Sequence, residues 1–140
     1  MEYRNAEKEI SIDVEYNFVG WVRGFPHDKK DIEHHGHFKV ALISNGQRKE
    51  FDYYGSAHDS GNGKDTLNDD DLKGALRCIV DDGLYGLMDF NVFCDELGYD
   101  EDSRTAERIH TACKKAADEL RELGLTDDDF SAIVNDLNEY

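Results

Sequence analysis

The sequence is poor in proline, in basic residues and in long apolar runs. It has one proline, Pro26, and its 16 basic residues face 32 acidic ones, so the formal net charge is −16. No apolar run approaches the roughly 18 residues that a membrane span needs, and the charged residues 1–9 do not fit a signal peptide. The charge argues against direct binding to nucleic acid or to anionic membranes. It suits a basic partner, although a salt-adapted proteome or simple solubility explains it equally well.

Cysteine is also scarce. Cys78, Cys94 and Cys113 are an odd number with long spacings, and each falls on the apolar face of a predicted helix. This pattern favours small buried side chains in a reduced cytosolic protein over disulfides or redox chemistry.

Bulky core residues are plentiful by contrast. Seven Phe, seven Tyr and one Trp in 140 residues are enough to build the core of one domain spanning residues 1–140. Residues 1–9 are polar and expected to be flexible. Residues 10–54 are expected to form a sheet and residues 69–138 a helical part.

The first half reads as three strands. Residues 10–18 alternate apolar and polar side chains, the pattern of a half-buried strand, and Gly20 is a candidate bulge. Residues 38–43 and 48–54 read as two more strands. Asn45-Gly46 between them predicts a type I′ hairpin.

The second half reads as about four helices. The first begins at Asn68 or Asp69 and is expected to stop at Asp81-Asp82-Gly83. A short helix from Asp89 to Gly98, a long one capped by Ser103 or Asp102, and a last one capped by Thr126 follow. Apolar residues recur at helical spacing in each, so we predict an α+β fold with a three-stranded antiparallel sheet and the helices on one of its faces.

The histidines invite a metal hypothesis. His34, His35 and His37 cluster, with His27 before them and His58 in the next loop. A closed zinc site needs four ligands at defined spacing, and no cysteine or HExxH pair joins these histidines. Exposed histidines on a polar connection are favoured over a metal site.

Other catalytic and ligand motifs fail on spacing. Lys64 in the glycine-rich loop is preceded by His58 where a phosphate loop needs glycine, and it is followed by Asp65. Neither Asp59 nor Asp100 begins an EF-hand loop. With no GxSxG elbow and no identifiable nucleophile, we expect a protein that is not an enzyme and uses no cofactor.

Acidic residues concentrate between residues 65 and 102, where twelve acids face two bases. Carboxylates at packed helix ends could be spaced like the phosphates of a duplex, which carries one charge per roughly 1.7 Å. N-terminal capping explains aspartates in first turns, but acids near the expected helix C-termini oppose the helix dipole. The candidate partner-binding residues are Asp69, Asp70, Asp71, Asp81, Asp82, Asp95, Glu96, Asp100, Glu101 and Asp102.

A resemblance adds context. The run from Phe93 to Arg104, FCDELGYDEDSR, with Ala106, Ile109 and Cys113 after it, resembles a recurring pattern of small acidic proteins of bacteriophages and mobile elements. It departs from that pattern at His110, where an aromatic residue is commoner. The resemblance covers residues 36–123 and identifies a phage accessory protein rather than an activity. It implies a setting in which such proteins disable host defence, as anti-CRISPR and anti-restriction proteins do.

Together these observations predict a phage-encoded inhibitor of a host DNA-targeting system, with anti-CRISPR activity favoured. It would act in the cytoplasm of the infected bacterium as an acidic DNA mimic that binds a basic channel, with a Cas effector subunit as the candidate partner. The first alternative is a protein-binding module that uses aromatic residues of the sheet, Trp21, Tyr53 and Tyr54. The second is a small metal-dependent enzyme built on the histidines. An exposed strand edge would also allow a homodimer.

Overall fold

The computed structural model describes residues 1–21, 35–56, 58–59 and 65–138. Its strands are β1 (Glu2–Asn5), β2 (Ile10–Trp21), β3 (His35–Ser44), β4 (Gln47–Ser56), β5 (His58–Asp59) and β6 (Asp65–Thr66). Its helices are α1 (Asp69–Gly86), α2 (Phe90–Leu97), α3 (Arg104–Glu122) and α4 (Asp127–Leu137). Strands followed by helices confirm the α+β class.

The main sheet has four antiparallel strands in the order β1-β2-β3-β4. The prediction of three strands is therefore one short, and the extra strand lies in residues that were expected to be flexible. Tyr3 of β1 is 5% exposed and belongs to the core, and its hydroxyl donates a 2.8 Å hydrogen bond to Asp136 of α4. One buried aromatic residue thus fixes a segment too short and too polar to show a clear strand pattern.

The turn and bulge predictions are confirmed. Ser44 pairs with Gln47 across the β3–β4 turn, and both Asn45 and Gly46 have positive φ, 53° and 76°. Positive φ at both central residues is what a type I′ turn requires. The register between β2 and β3 shifts between Phe18 and Gly20, where the bulge was expected.

Alternation along the strands decides which face of the sheet meets the helices. Val14, Phe38 and Val40 are buried on the covered face and join the main core with residues of α1, α3 and α4. The opposite face carries charged side chains, among them Lys39, Arg48 and Asp52, which form ion pairs across the strands. One face of the sheet is therefore dry and the other is polar.

Helix α1 runs past its predicted end. It continues through Asp81, Asp82 and Gly83 to Gly86. A side chain at Gly83 would meet Leu120 of α3 at 2.7 Å, so the glycine allows the two helices to pack closely and does not end α1. The expected buried face of α1 is confirmed, and it comprises Leu72, Ala75, Leu76, Ile79 and Val80.

Helix α2 stands apart from the main core. Its buried residues Phe93 and Cys94 form a second cluster with Ala106 and Cys113 of α3. Gly98 ends the helix in the left-handed conformation, φ 75°, as its position predicts. The expectation that all helices cover the sheet therefore holds for α1, α3 and α4, while α2 packs on the helical layer.

Candidate functional site

The candidate acids fall into two groups at opposite ends of α1. Asp69, Asp70 and Asp71 occupy its first turn. Asp71 and Asn68 form a reciprocal capping box, with hydrogen bonds of 2.8 and 3.1 Å between the backbone N–H of each residue and the side chain of the other. Helix stability alone accounts for this group.

Three acids of the second group, Asp81, Asp82 and Glu96, act on Tyr85. Asp81 contributes most to raising the pKa of the Tyr85 phenol, followed by burial and then by Glu96 and Asp82. Carboxylates of α1 and of the C-terminal end of α2 therefore act on the same phenol. This electrostatic effect was not visible in the sequence, where Tyr85 and Glu96 lie on different elements.

The α2–α3 loop carries further acids next to the end of α2. Burial raises the pKa of the Cys94 thiol, and Glu101, Asp95 and Asp100 raise it further. The end of α2 and the loop after it are thus electrostatic neighbours. We define the acid surface as Asp81, Asp82, Asp95, Glu96, Asp100, Glu101 and Asp102, of which Asp102 is exposed in the loop next to Glu101.

The acid surface lacks compensating bases. Within the described ranges, none of its carboxylates forms an ion pair with a lysine or arginine, although Arg104 and Arg108 begin the neighbouring helix α3. Acids elsewhere are paired: Arg48 binds Glu15 at 2.7 Å, and Arg121 binds Asp127 at 3.0 Å. Among the described residues, the ion pairs of Arg48 and Lys39 lie on the sheet and that of Arg121 lies at the α3–α4 turn.

Asp82 has the most perturbed carboxyl of the acid surface. Partial burial and, secondarily, the charge of Asp81 raise its pKa from 3.8 to about 6. The sequence argument that Asp81 and Asp82 oppose the dipole at a helix C-terminus is wrong, since α1 continues to Gly86. Desolvation, and not the dipole, is what makes Asp82 unfavourable. Asp95 and Glu96 do lie in the last turn of α2 and so oppose its dipole.

Aromatic residues proposed for the alternative binding face do not share a face. Tyr53 lies on the covered side of the sheet and contacts the core, including Phe38. Tyr54, the next residue, points to the opposite side and is 60% exposed. Trp21 is 45% exposed at the end of β2 and contacts Phe18 edge-to-face.

His37 is part of a polar cluster on the open face of the sheet. Its Nε2 lies 2.9 Å from Asp52 Oδ1, its ring stacks on Tyr54, and Lys39 also binds Asp52 at 2.8 Å. Lys39 and His37 hold the pKa of Asp52 below its usual value. In the part of the chain that the structure describes, no group of three or more potential ligands could hold a metal ion. His27 and His34 lie outside the described residues, as do Gly61, Gly63 and Lys64 of the glycine-rich loop.

His110, where the sequence departs from the phage-type pattern, is buried. It is 8% exposed, with its ring nitrogen 2.8 Å from the Met88 carbonyl and its ring against Phe90 and Phe93. Cys94 and Cys113 are buried as predicted, whereas Cys78 is exposed. All three thiols are free.

Comparison of the chain with protein-family models, with curated proteins and with solved structures found no match. Among the described residues, no helix is both long and apolar enough to cross a membrane. The function must therefore be argued from the residues themselves.

Proposed function

We propose that this protein is a non-catalytic inhibitor that binds the basic nucleic-acid-binding surface of a host DNA-targeting protein, with a CRISPR–Cas effector as the first candidate. The observation that carries the proposal is the acid surface, whose carboxylates lack an ion pair within the described residues. A surface that is already compensated has little charge to offer a partner. This one keeps its charge available.

Such a partner recognises its ligand mainly through charge. A DNA-binding channel gains most of its non-specific affinity by replacing counterions with phosphates, and carboxylates in similar density provide the same gain. The acid surface also favours rapid encounter with a basic protein, because opposite potentials steer association.

The setting of the proposal comes from the phage-type pattern around residues 93–113. The residues of that pattern build the second cluster: Phe93, Cys94, Ala106 and Cys113 hold α2 against α3. They thereby place the acids of α2 and of the following loop. On this proposal the pattern maintains the acid surface, and the protein acts in the cytoplasm of an infected bacterium.

Charge reversal on α2 tests the proposal. In the variant Asp95→Lys/Glu96→Lys the new bases lie in the last turn of a helix, where the dipole favours positive charge. We expect unchanged or slightly higher stability and at least a tenfold loss of affinity for a basic DNA-binding partner captured from host lysate, by analogy with coupled charge pairs at about 1.5 kcal/mol or more. Affinity is measured by calorimetry, and stability by urea unfolding.

The matched control is Glu7→Lys/Asp128→Lys, which changes the net charge equally at exposed positions away from the acid surface. Equal losses in both variants would mean that only net charge matters. A second variant with lysine at Asp81, Asp82, Glu101 and Asp102 should abolish inhibition of the partner. Full inhibition by that variant would disprove the DNA-mimic mechanism.

The exposed aromatic residues support a second candidate function. Trp21 and Tyr54 are 45% and 60% exposed, and Val19 is 53% exposed. Because Trp21 and Tyr54 do not share a face, a module that binds a protein through one of them would lose its partner in either Trp21→Ala or Tyr54→Ala, but not in both variants. Its binding would persist at high salt, whereas binding through the acid surface would weaken steeply.

A further inference from the structure

A groove lies where strand β4 passes the exposed faces of α1 and α3. It has a volume of about 300 Å³. Its lining combines apolar side chains with a charged rim and consists of Glu50, Phe51, Asp52, Ile79, Asp82, Ala112, Lys115, Ala116 and Glu119. We call it the β4–α3 groove.

The apolar part of the groove is small and smooth. Ala112 and Ala116 are one helical turn apart on α3, and neither fills the space above it. Phe51 is half-buried beside them, and Ile79 of α1 is 4% exposed. An aliphatic stem of a long side chain could lie along these residues and remove them from water.

The rim of the groove is acidic, and one of its carboxylates has no ion-pair partner among the described residues. Four acids face one base, Lys115, in the lining that the structure describes. Lys115 is 3.8 Å from Glu119 with its side chain 78% exposed, so it stands on the rim and does not fill the groove. Asp52 is held by Lys39 and His37. Asp82 is exposed at the surface of α1 and has no ion pair with any described residue.

We propose that the β4–α3 groove receives an arginine side chain of a basic partner protein, with the guanidinium at Asp82 and the stem on Ala112 and Ala116. The inference rests on the proposed function for the kind of partner. Arginine fits better than lysine because its planar guanidinium binds a carboxylate through two hydrogen bonds and stacks on an aromatic ring such as Phe51. Buried arginines of this kind are frequent anchors of protein interfaces.

The groove should respond to pH through Asp82. The charged and titratable groups around it are Glu50 and Asp52 on β4, Lys115, Glu119 and Cys113 on α3, and Asp81, Cys78 and Tyr85 on α1. A cation at Asp82 favours its ionised form, so binding releases a proton at acidic pH. Affinity for arginine should fall by about tenfold between pH ~7.5 and pH ~5, since the pKa of free Asp82 is about 6.

The experiment is an NMR titration of the intact protein with Nα-acetyl-arginine amide and, separately, with Nα-acetyl-lysine amide. We expect saturable shifts of the backbone amides of Phe51, Asp82 and Ala116, with arginine binding several-fold more tightly than lysine. Asp82→Asn should remove the binding, while Asp81→Asn, one residue outside the lining, should retain it. Equal shifts for arginine and lysine, spread over the whole acid surface, would overturn the proposal.

A second pair of variants separates shape from charge. Ala112→Phe fills the groove without changing any charge, and Thr111→Phe places the same ring on the adjacent exposed position. Arginine binding should be lost in the first and kept in the second. If arginine still binds to Ala112→Phe, the groove is not the arginine site. The proposed function still stands in that case, provided that Asp95→Lys/Glu96→Lys loses the basic partner protein. If arginine binds in the groove but Asp95→Lys/Glu96→Lys does not change the affinity for the basic partner protein, the proposed function is disproved instead.

Discussion

At the scale of single residues, Asp82 is the described carboxyl whose pKa is raised. Its pKa is raised because the carboxyl is partly desolvated and lies next to Asp81. A folded-state pKa above the unfolded value means that the folded protein binds the proton more tightly. Ionised Asp82 therefore destabilises the fold, and this cost appears as the pH rises through about 4 to 6.

We predict that Asp82→Asn stabilises the protein at neutral pH. The expected gain in the free energy of unfolding is about 1 kcal/mol at pH ~7.5, well below the full value of the pKa difference because solvent screens a partly exposed carboxyl. The gain should shrink when the pH is lowered toward ~5, where the wild-type carboxyl is mostly protonated. Urea unfolding at both pH values measures it.

The control for Asp82→Asn is Glu7→Gln, which removes the same charge from an exposed side chain outside the helices. A gain that is equal in the two variants would trace to net charge, and a gain independent of pH would contradict the raised pKa. Stabilisation combined with loss of arginine binding would identify Asp82 as a residue kept for binding at the expense of stability.

At the scale of elements, β1 is fixed by its one buried side chain. Burial and the hydrogen bond to Asp136 raise the pKa of Tyr3 to about 12, so its hydroxyl stays protonated and acts as the donor. This hydrogen bond joins the first strand to the last helix. The edge of the sheet and α4 should therefore unfold together.

At this scale we predict how substitutions of Tyr3 change the free energy of unfolding. Tyr3→Phe removes only the hydrogen bond to Asp136 and should cost about 1 kcal/mol of unfolding free energy. Tyr3→Ala also empties a core position and should cost about 3–5 kcal/mol. Arg4→Ala, a substitution at the exposed neighbouring position, breaks a surface ion pair with Glu2. It should change the free energy of unfolding by no more than about 1 kcal/mol. An unchanged unfolding midpoint for Tyr3→Ala would mean that residues 1–9 contribute nothing to the fold.

Contacts between helices also explain a local error of the sequence prediction, which ended α1 too early. Asp81-Asp82-Gly83 looks like a helix stop because glycine and aspartate favour helix ends. In the fold, Gly83 and Gly86 lie where α3 passes close: a side chain at Gly86 would collide with the backbone of Cys113. Packing between α1 and α3 therefore extends the helix over residues whose local preference is to end it.

At the scale of the whole molecule, the net charge of −16 acts in opposite directions on folding and on binding. Like charges repel each other in the folded state, so screening stabilises it. The same screening removes the attraction to a basic partner. Salt should therefore separate the two properties.

We predict that raising NaCl from about 0.05 M to about 1 M increases the urea midpoint and weakens partner binding by several orders of magnitude. Circular dichroism follows unfolding, and calorimetry follows binding at each salt concentration. The variant Asp95→Lys/Glu96→Lys should show a smaller salt effect on both. Binding that strengthens with salt would point to an apolar interface and to the exposed aromatic residues of the sheet.

The sequence by itself determined the elements whose causes are local. Asn45-Gly46 dictates its turn through positive φ, and the N-cap Asn68 is one of the two residues at which the sequence predicts the start of α1. The apolar periods of β2, β3 and the helices also predicted the α+β class and most of the core. In each case the physical reason lies within a few residues of the element itself.

Only the tertiary structure decided what depends on residues that are distant in the chain. It added β1 through Tyr3 and Asp136, and it placed Tyr53 and Tyr54 on opposite sides of the sheet. It also let acids of both α1 and α2 raise the pKa of Tyr85. It also formed the β4–α3 groove from three elements that are separate in sequence. Charge composition is a property of the sequence, but which charges stay unpaired and which carboxyl loses water is a property of packing.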